Sequence, residues 1–304
     1  MILMGNGILL TLSVLLNVLT CGILRNAFCK KEIRTQADLY AFNTVSSIVS
    51  AVSILLFGVF MKSVSFPSVY TLLLGIVFGL ATALCAILNM KALECGPLSY
   101  TNIIVSCSMI IPAFSGLLFF GETVSPGQYI GAGLMIVSFI CAVDKKNDTT
   151  GTSLGWFLLS LGTLIFSGSV GIMQKIHQTS EYKDELTGLL ITAFLVSAVF
   201  SFALMLFHSK GASQAVTIFL SPRAKKSLII CIVTGAGFAF CNQANLYLSG
   251  AMEAIIFFPV VNGAAMLLTT AAGLLLWKEK LSRKQQLGTI AGAAAIFLLC
   301  GVFF

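Results

Sequence analysis

Ten stretches of about 20 mostly apolar residues follow one another along the chain, separated by charges, Gly or Pro. They cover residues 3–25, 39–61, 68–90, 97–120, 126–143, 154–175, 186–207, 227–248, 251–277 and 285–303. A helix needs about 20 apolar residues to cross the hydrocarbon core of a bilayer. Only 10% of the residues are charged, whereas a soluble domain carries roughly a quarter. The sequence therefore predicts an all-α integral membrane protein with ten transmembrane helices and no room for a soluble catalytic domain.

The basic residues predict how the chain lies in the membrane. The formal charge is +7, but the basic residues form short runs between apolar stretches, which favours cytoplasmic loops over a nucleic-acid surface. Fifteen of the 18 Lys and Arg residues follow odd-numbered stretches. The positive-inside rule then predicts a multi-pass protein of the plasma membrane with both termini outside, in contact with lipid and with no nucleic-acid partner.

The two halves of the chain resemble each other. Residues 119–131 align with residues 276–288, and one offset pairs Glu122 with Glu279, Ser125 with Ser282, Gln128 with Gln285 and Gly131 with Gly288. We therefore predict two five-helix repeats, residues 1–145 and residues 151–304. Because five is odd, the second repeat must enter the membrane in the opposite orientation. Inverted repeats of this kind are typical of secondary transporters.

The same motifs identify a family resemblance. Gly121-Glu122 and Lys278-Glu279 close the fourth and ninth stretches, and a turn at 92–97 joins the third to the fourth. In these features the whole chain resembles the drug/metabolite transporter superfamily, specifically its EamA-type ten-helix members. The resemblance implies a pseudo-twofold axis in the membrane plane, alternating access, and a central cavity lined mainly by spans 1, 3, 4, 6, 8 and 9. It implies no particular substrate. EamA-type proteins are more often drawn with both termini inside, and we give priority to the charge pattern of this sequence.

Uncharged polar residues within the stretches are the candidate substrate site. A carboxamide in hydrocarbon costs several kcal/mol unless it is hydrogen-bonded. Interhelical hydrogen bonding is one explanation for such residues. As a set near the membrane midplane, they would suit a neutral or zwitterionic solute. The residues expected to line a central cavity are Asn17, Asn89, Asn102, Ser106, Asn242 and Asn262.

Charged residues give weaker signals. The charged residues at the ends of stretches are Lys91, Glu94, Lys175 and Glu253. There we favour snorkelling to the interface over substrate charge recognition or proton coupling. Glu122 and Glu279 begin loops, which favours capping or loop hydrogen bonding over coupling. The cysteines are scattered without CxxC spacing, and we expect neither disulfides nor a metal site.

Three function classes compete for this pattern. A secondary transporter moving a small polar metabolite, such as an amino acid or related compound, fits best, with export slightly preferred. A membrane-embedded enzyme or receptor-like protein is the alternative, but the only histidines, His177 and His208, lie at span ends. A multidrug exporter is the other alternative. The small multidrug exporters of the same superfamily depend on a buried acid in their first span, where this chain has only Asn17 as a strongly polar side chain, so that type of antiporter is disfavoured. We predict no catalytic residue and no cofactor. A coupling ion, and the choice between monomer and homodimer, remain open.

Overall fold

The chain is all-helical wherever the computed structural model describes it. The described residues are 2–25, 36–62, 64, 66–95, 105, 107–122, 125–141, 154–208, 224–276 and 283–299. They form ten α-helices and no strand: α1 Ile2–Asn17, α2 Gln36–Phe60, α3 Val69–Cys95, α4 Ile110–Phe119, α5 Pro126–Cys141, α6 Leu154–Thr179, α7 Leu186–His208, α8 Ala224–Ala251, α9 Ala254–Leu276 and α10 Arg283–Leu299. A π-helical segment, Val18–Arg25, continues α1, and a 3₁₀ turn, Cys107–Met109, precedes α4.

The helices coincide with the ten apolar stretches. Within the described residues, α2, α3, α6, α7 and α8 are long and apolar enough to cross a membrane, and α1, α4, α9 and α10 contain shorter apolar helical segments. Large apolar side chains such as Leu56, Val199 and Ile290 are exposed on the helix surfaces. Such a surface suits lipid, in which a helix satisfies its own backbone hydrogen bonds. The prediction of an all-α multi-pass protein is confirmed.

The chain divides into two compact units that do not follow the halves of the sequence. Unit 1 comprises Met1–Ala83 and Ile176–Tyr247, and unit 2 comprises Leu84–Lys175 and Leu248–Phe304. Each unit therefore contains helices from both predicted repeats.

In unit 1, α2 packs along α7 through small polar contacts. The hydroxyls of Ser47 and Ser197 lie 3.2 Å apart. The flanking helices approach this pair through glycines. A Cβ on Gly79 of α3 would lie 2.9 Å from Cβ of Val196, and one on Gly235 of α8 would lie 2.8 Å from the carbonyl oxygen of Ser46. Small residues permit close helix approach where the bilayer supplies no hydrophobic driving force.

In unit 2, α5 packs along α10. The Ser138 hydroxyl donates to the carbonyl oxygen of Gly288 at 2.6 Å. A Cβ on Gly131 would lie 3.2 Å from the carbonyl oxygen of Ala295. Because Gly131 meets Ala295 while Ser138 meets Gly288, α5 and α10 run antiparallel. The fourth and ninth helices, α4 and α9, are also in contact.

Candidate functional site

Asn17 lies on the face by which α1 packs against α8 in unit 1. Four residues earlier, the Ser13 hydroxyl donates to Asn245 Oδ1 at 3.0 Å. Three residues later, Thr20 lies so close to Gly237 of α8 that a Cβ on this glycine would collide with the Thr20 side chain. Asn17 is half-buried and makes no side-chain hydrogen bond to another described residue. Its carboxamide is therefore available to a ligand on an otherwise tightly packed face.

Asn17 is also the last residue before the backbone changes from α- to π-helical. A π-helical turn is rare, and such turns occur often at functional sites. The π segment turns side chains away from the α-helical register, so the residues after Asn17 present a different face from those before it.

Asn242 and Asn262 use their amide groups in the same way. The Nδ2 of Asn242 donates to the carbonyl oxygen of Phe238 at 2.9 Å, and the Nδ2 of Asn262 donates to Phe258 at 2.8 Å. Both bonds reach back one turn within the same helix. Since an amide has two donors and one carbonyl acceptor, each side chain keeps its Oδ1 for another partner. Asn242 belongs to unit 1 and Asn262 to unit 2.

Asn89 contributes a buried acceptor to unit 2. Its Oδ1 has no hydrogen-bond partner among the described residues, and neither has the Ser160 hydroxyl. One turn from Asn89, Cys85 Sγ lies 3.8 Å from the carbonyl oxygen of Thr163. The two unsatisfied groups therefore lie on the faces by which α3 and α6 pack. Buried polar atoms without partners in a native fold require an explanation, and a polar ligand is one.

The other two candidates, Asn102 and Ser106, lie outside the described residues. Of the remaining four, Asn17 and Asn242 fall in unit 1, and Asn89 and Asn262 fall in unit 2. No hydrogen bond joins any two of these four amides in the part of the chain that the structure describes. Their role as substrate ligands stays a prediction.

A buried ion pair in unit 2 is the main feature that the sequence interpretation missed. Lys175 Nζ lies 2.6 Å from Glu122 Oε1, and the two side chains are only 7% and 9% exposed. The same ammonium donates to the carbonyl oxygen of Met252 at 2.9 Å. The interpretation of Lys175 as a snorkelling side chain is therefore wrong, because its charge turns inward to a carboxylate instead of outward to water.

The second oxygen of Glu122 caps a helix. Glu122 Oε2 accepts a hydrogen bond from the backbone N–H of Ala254, the first residue of α9, at 2.8 Å. A carboxylate at this position satisfies an orphan backbone donor and interacts favourably with the helix dipole. The capping role predicted for Glu122 is confirmed, although the helix that it caps is remote in sequence.

The backbone of α4 positions this carboxylate. Gly121 adopts a left-handed conformation, with φ of 62°, which residues with a Cβ rarely adopt. The chain turns back there, and the Glu122 N–H donates to the carbonyl oxygen of Gly116 at 3.2 Å. A Cβ on Gly116 would collide with Glu122 Oε2. Two glycines thus let the carboxylate fold over the last turn of α4.

A second carboxylate caps a helix in unit 1. Glu185 Oε2 accepts from both the backbone N–H and the hydroxyl of Ser68, each at 2.8 Å, just before α3 begins. Hydrogen bonding from the Thr71 hydroxyl, and then from Ser68, holds the pKa of Glu185 below its ordinary value, and His177 lowers it further. Glu185 lies in the connector between α6 and α7, so this contact ties two loops together.

Comparison with known proteins finds a family match within the first half of the chain. Residues 7–143 match the model of the EamA-like transporter family. These residues are therefore similar to an EamA-like transporter domain. The family consists of membrane transporters of the drug/metabolite type, which act on small molecules within a lipid bilayer, and are not enzymes. The resemblance inferred from the sequence is thereby confirmed over residues 7–143.

The fold extends beyond the EamA-like region. A crystal structure of another protein superposes with a TM-score of 0.74, covering 98% of this chain and 97% of the other, at 10% sequence identity. At that identity the likeness shows the fold alone. No curated protein sequence matches the chain.

Proposed function

We propose that the protein is a secondary transporter that moves a small polar metabolite, an amino acid or a related compound, across the plasma membrane by alternating access, preferentially in the export direction. The observation that carries this proposal is the match of residues 7–143 to the EamA-like transporter family. Available carboxamide groups on membrane helices of both units add the chemistry that a neutral or zwitterionic solute requires.

The contacts between α5 and α10 support an inverted repeat. The sequence offset that pairs Gly131 with Gly288 also pairs Ser138 with Ala295. Gly131 approaches Ala295, and Ser138 bonds to Gly288, so each contact is the image of the other when the halves are exchanged. A two-fold axis produces such reciprocal contacts.

Unit 1 supports the same symmetry independently. Gly79 of α3 approaches the carbonyl of Ala193 and the side chain of Val196 on α7. Gly235 of α8 approaches the carbonyl of Ser46 and the side chain of Val49 on α2. The two glycines lie on counterpart helices, and each meets a carbonyl and the side chain three residues later. Halves that can exchange environments are the structural basis of alternating access in inverted-repeat transporters.

The substrate contacts proposed for unit 1 are Asn17 and Asn242, and those for unit 2 are Asn89 and Asn262. Asn102 and Ser106 complete the proposal on sequence grounds. Each of the four described residues retains an unused amide oxygen or a wholly unused amide. An α-amino acid offers both an ammonium donor and a carboxylate acceptor, which such amides can bind without a buried countercharge.

A ligand screen followed by substitution tests this assignment. A metabolite that binds the folded protein raises its apparent melting temperature, so a thermal-shift screen identifies the ligand. We expect the affinity for that ligand to fall about tenfold in each of three variants, Asn17→Ala, Asn242→Ala and Asn262→Ala. This is the effect of losing roughly 1.4 kcal/mol of hydrogen bonding.

Asn245→Ala is the matched control, because Asn245 already accepts a hydrogen bond from Ser13. This control should lower stability by about 0.5 to 2 kcal/mol, a packing effect, and leave ligand affinity per folded molecule unchanged. If the three Asn variants bind the ligand normally, they are not substrate contacts.

The orientation is tested separately. Fifteen of the 18 basic residues follow odd-numbered helices, which supports external termini. A cysteine at Ser125, introduced into a cysteine-free version, should react with a membrane-impermeant reagent in intact cells, and one at Ser282 should not. The reverse pattern would place both termini in the cytoplasm.

A further inference from the structure

We propose that Glu122 and Lys175 form a charge latch, which holds the ends of α4, α6 and α9 together in one state of the transport cycle and releases them in the other. The proposal rests on the proposed transport function. It starts from the position of the pair: three helices meet at one carboxylate, and all three are among those that the family resemblance assigns to the pathway.

The three helices are in direct contact one turn before the latch. A Cβ on Gly171 of α6 would lie 2.8 Å from Pro112 of α4 and 3.1 Å from Phe258 of α9. Four residues later on α6, Lys175 reaches Glu122 beyond the end of α4 and Met252 just before α9. The ion pair therefore lies one helical turn beyond a closely packed apolar contact among α4, α6 and α9.

The chemistry of the latch favours two discrete states. Both charges are almost fully buried, and a buried charge becomes strongly unfavourable when its countercharge is absent. When the helix ends separate, water hydrates both ions and the cost of desolvation disappears. The paired and hydrated arrangements are both low in free energy, whereas a partly opened pair is not.

This reasoning predicts a specific pattern of single and double substitutions. Removing one charge leaves the other buried without its countercharge, so the state that hydrates it gains population. Removing both charges eliminates that penalty. A latch should therefore give strongly non-additive effects, with the double variant closer to the wild type than either single variant.

Opening is measured by the reactivity of a buried probe. Ala113 lies on α4 one turn before Gly116 and is only 3% exposed. The Ala113→Cys variant of an otherwise cysteine-free protein that retains transport is reacted with a maleimide in nanodiscs. Glu122→Gln and Lys175→Gln should each increase the labelling rate about tenfold or more, and the double variant should increase it less.

Three further variants separate the latch from a general loss of packing. Lys175→Arg keeps the charge and should stay near the wild-type rate. Gly116→Ala keeps both charges but displaces the Glu122 carboxylate, so it should increase labelling. Gly133→Ala is its matched control, because a Cβ on Gly133 of α5 meets nothing within 4 Å.

Transport kinetics in proteoliposomes complete the test. The latch predicts that Glu122→Gln and Lys175→Gln change Vmax per folded molecule while the Lys175→Arg variant retains it. If both neutral variants lose thermal stability but label and transport like the wild type, the pair is only structural and the latch is wrong. If the wild-type protein transports no metabolite although its cysteine responds as predicted, the proposed function fails and the conformational device stands.

Discussion

Two carboxylates perform the same task in different surroundings. Glu122 caps α9 through Ala254 N, and Glu185 caps α3 through Ser68 N, with the same 2.8 Å distance. Glu122 is almost completely buried and paired with Lys175. Glu185 lies in a connector beside polar hydroxyls. The two carboxylates therefore share the bond distance and the capping task. Their surroundings determine how strongly the stability of each site depends on the charge.

The difference follows from desolvation. A carboxylate in a loop keeps much of its hydration, so losing a partner costs little beyond one or two hydrogen bonds. A carboxylate removed from water depends on its countercharge, and loss of that countercharge is strongly destabilising. We expect the two sites to respond differently to substitution and to pH.

The largest expected effect is that of Lys175→Met. It should lower the free energy of unfolding by up to about 3–5 kcal/mol, the cost of keeping the Glu122 carboxylate buried without a countercharge, and by less to the extent that opening of the latch hydrates that carboxylate. Chemical unfolding in detergent measures the change. Lys183→Met, in an exposed connector, is the control and should have an effect within about 0.5 kcal/mol. Equal effects at the two lysines would remove the distinction between the sites.

Combining Lys175→Met with Glu122→Gln should recover part of this loss. The glutamine oxygen can still accept from Ala254 N, while no uncompensated charge remains. We expect a coupling free energy of about 1 to 3 kcal/mol in a double-mutant cycle. Additive effects would show that the two residues stabilise the fold independently.

At the connector site, Glu185→Ala should cost about 1 kcal/mol, the usual effect of removing a helix cap. Glu185→Gln should cost less, since an amide oxygen can still accept from Ser68. Unfolding of both variants under the conditions used for Lys175→Met gives the comparison. A loss from Glu185→Ala as large as that from Lys175→Met would mean that the connector is as dependent on charge as the buried pair.

The smallest effect is a pH dependence at Glu185. Its pKa in the folded protein lies below the ordinary value of 4.5, so its stabilising contribution is complete above about pH 4.5 and is lost as the pH falls through the lower folded-state pKa. The stability difference between the wild type and Glu185→Gln should therefore shrink on acidification below pH 4.5. A difference that grows in that range would contradict the assigned hydrogen bonds.

Local sequence signals predicted the helices and the cap, but not the ion pair. Apolar length sufficed for the ten helices, and the position of Glu122 at the start of a loop indicated capping or loop hydrogen bonding. Lys175 lies near the end of an apolar stretch, as snorkelling lysines do, and its partner is on another helix. Only tertiary packing, through Gly116 and Gly171, brings the two together.

The candidate amides show a similar limit. Hydropathy placed Asn242 and Asn262 within helices, but it could not show that each donates to the carbonyl one turn back. The importance of Ser13 and Asn245 was also missed, because a hydroxyl and an amide on distant helices carry no joint signal. The π-helical segment after Asn17 likewise has no marker such as proline in its sequence.

Counterflow in proteoliposomes tests the central claim most directly. Vesicles containing the purified protein are loaded with the unlabelled metabolite found by thermal shift, and uptake of the labelled form is measured against empty vesicles. Alternating access predicts transient, saturable accumulation that depends on the internal metabolite and falls about tenfold in Asn17→Ala. Folded protein that binds the metabolite yet gives the same uptake as empty vesicles would contradict the account.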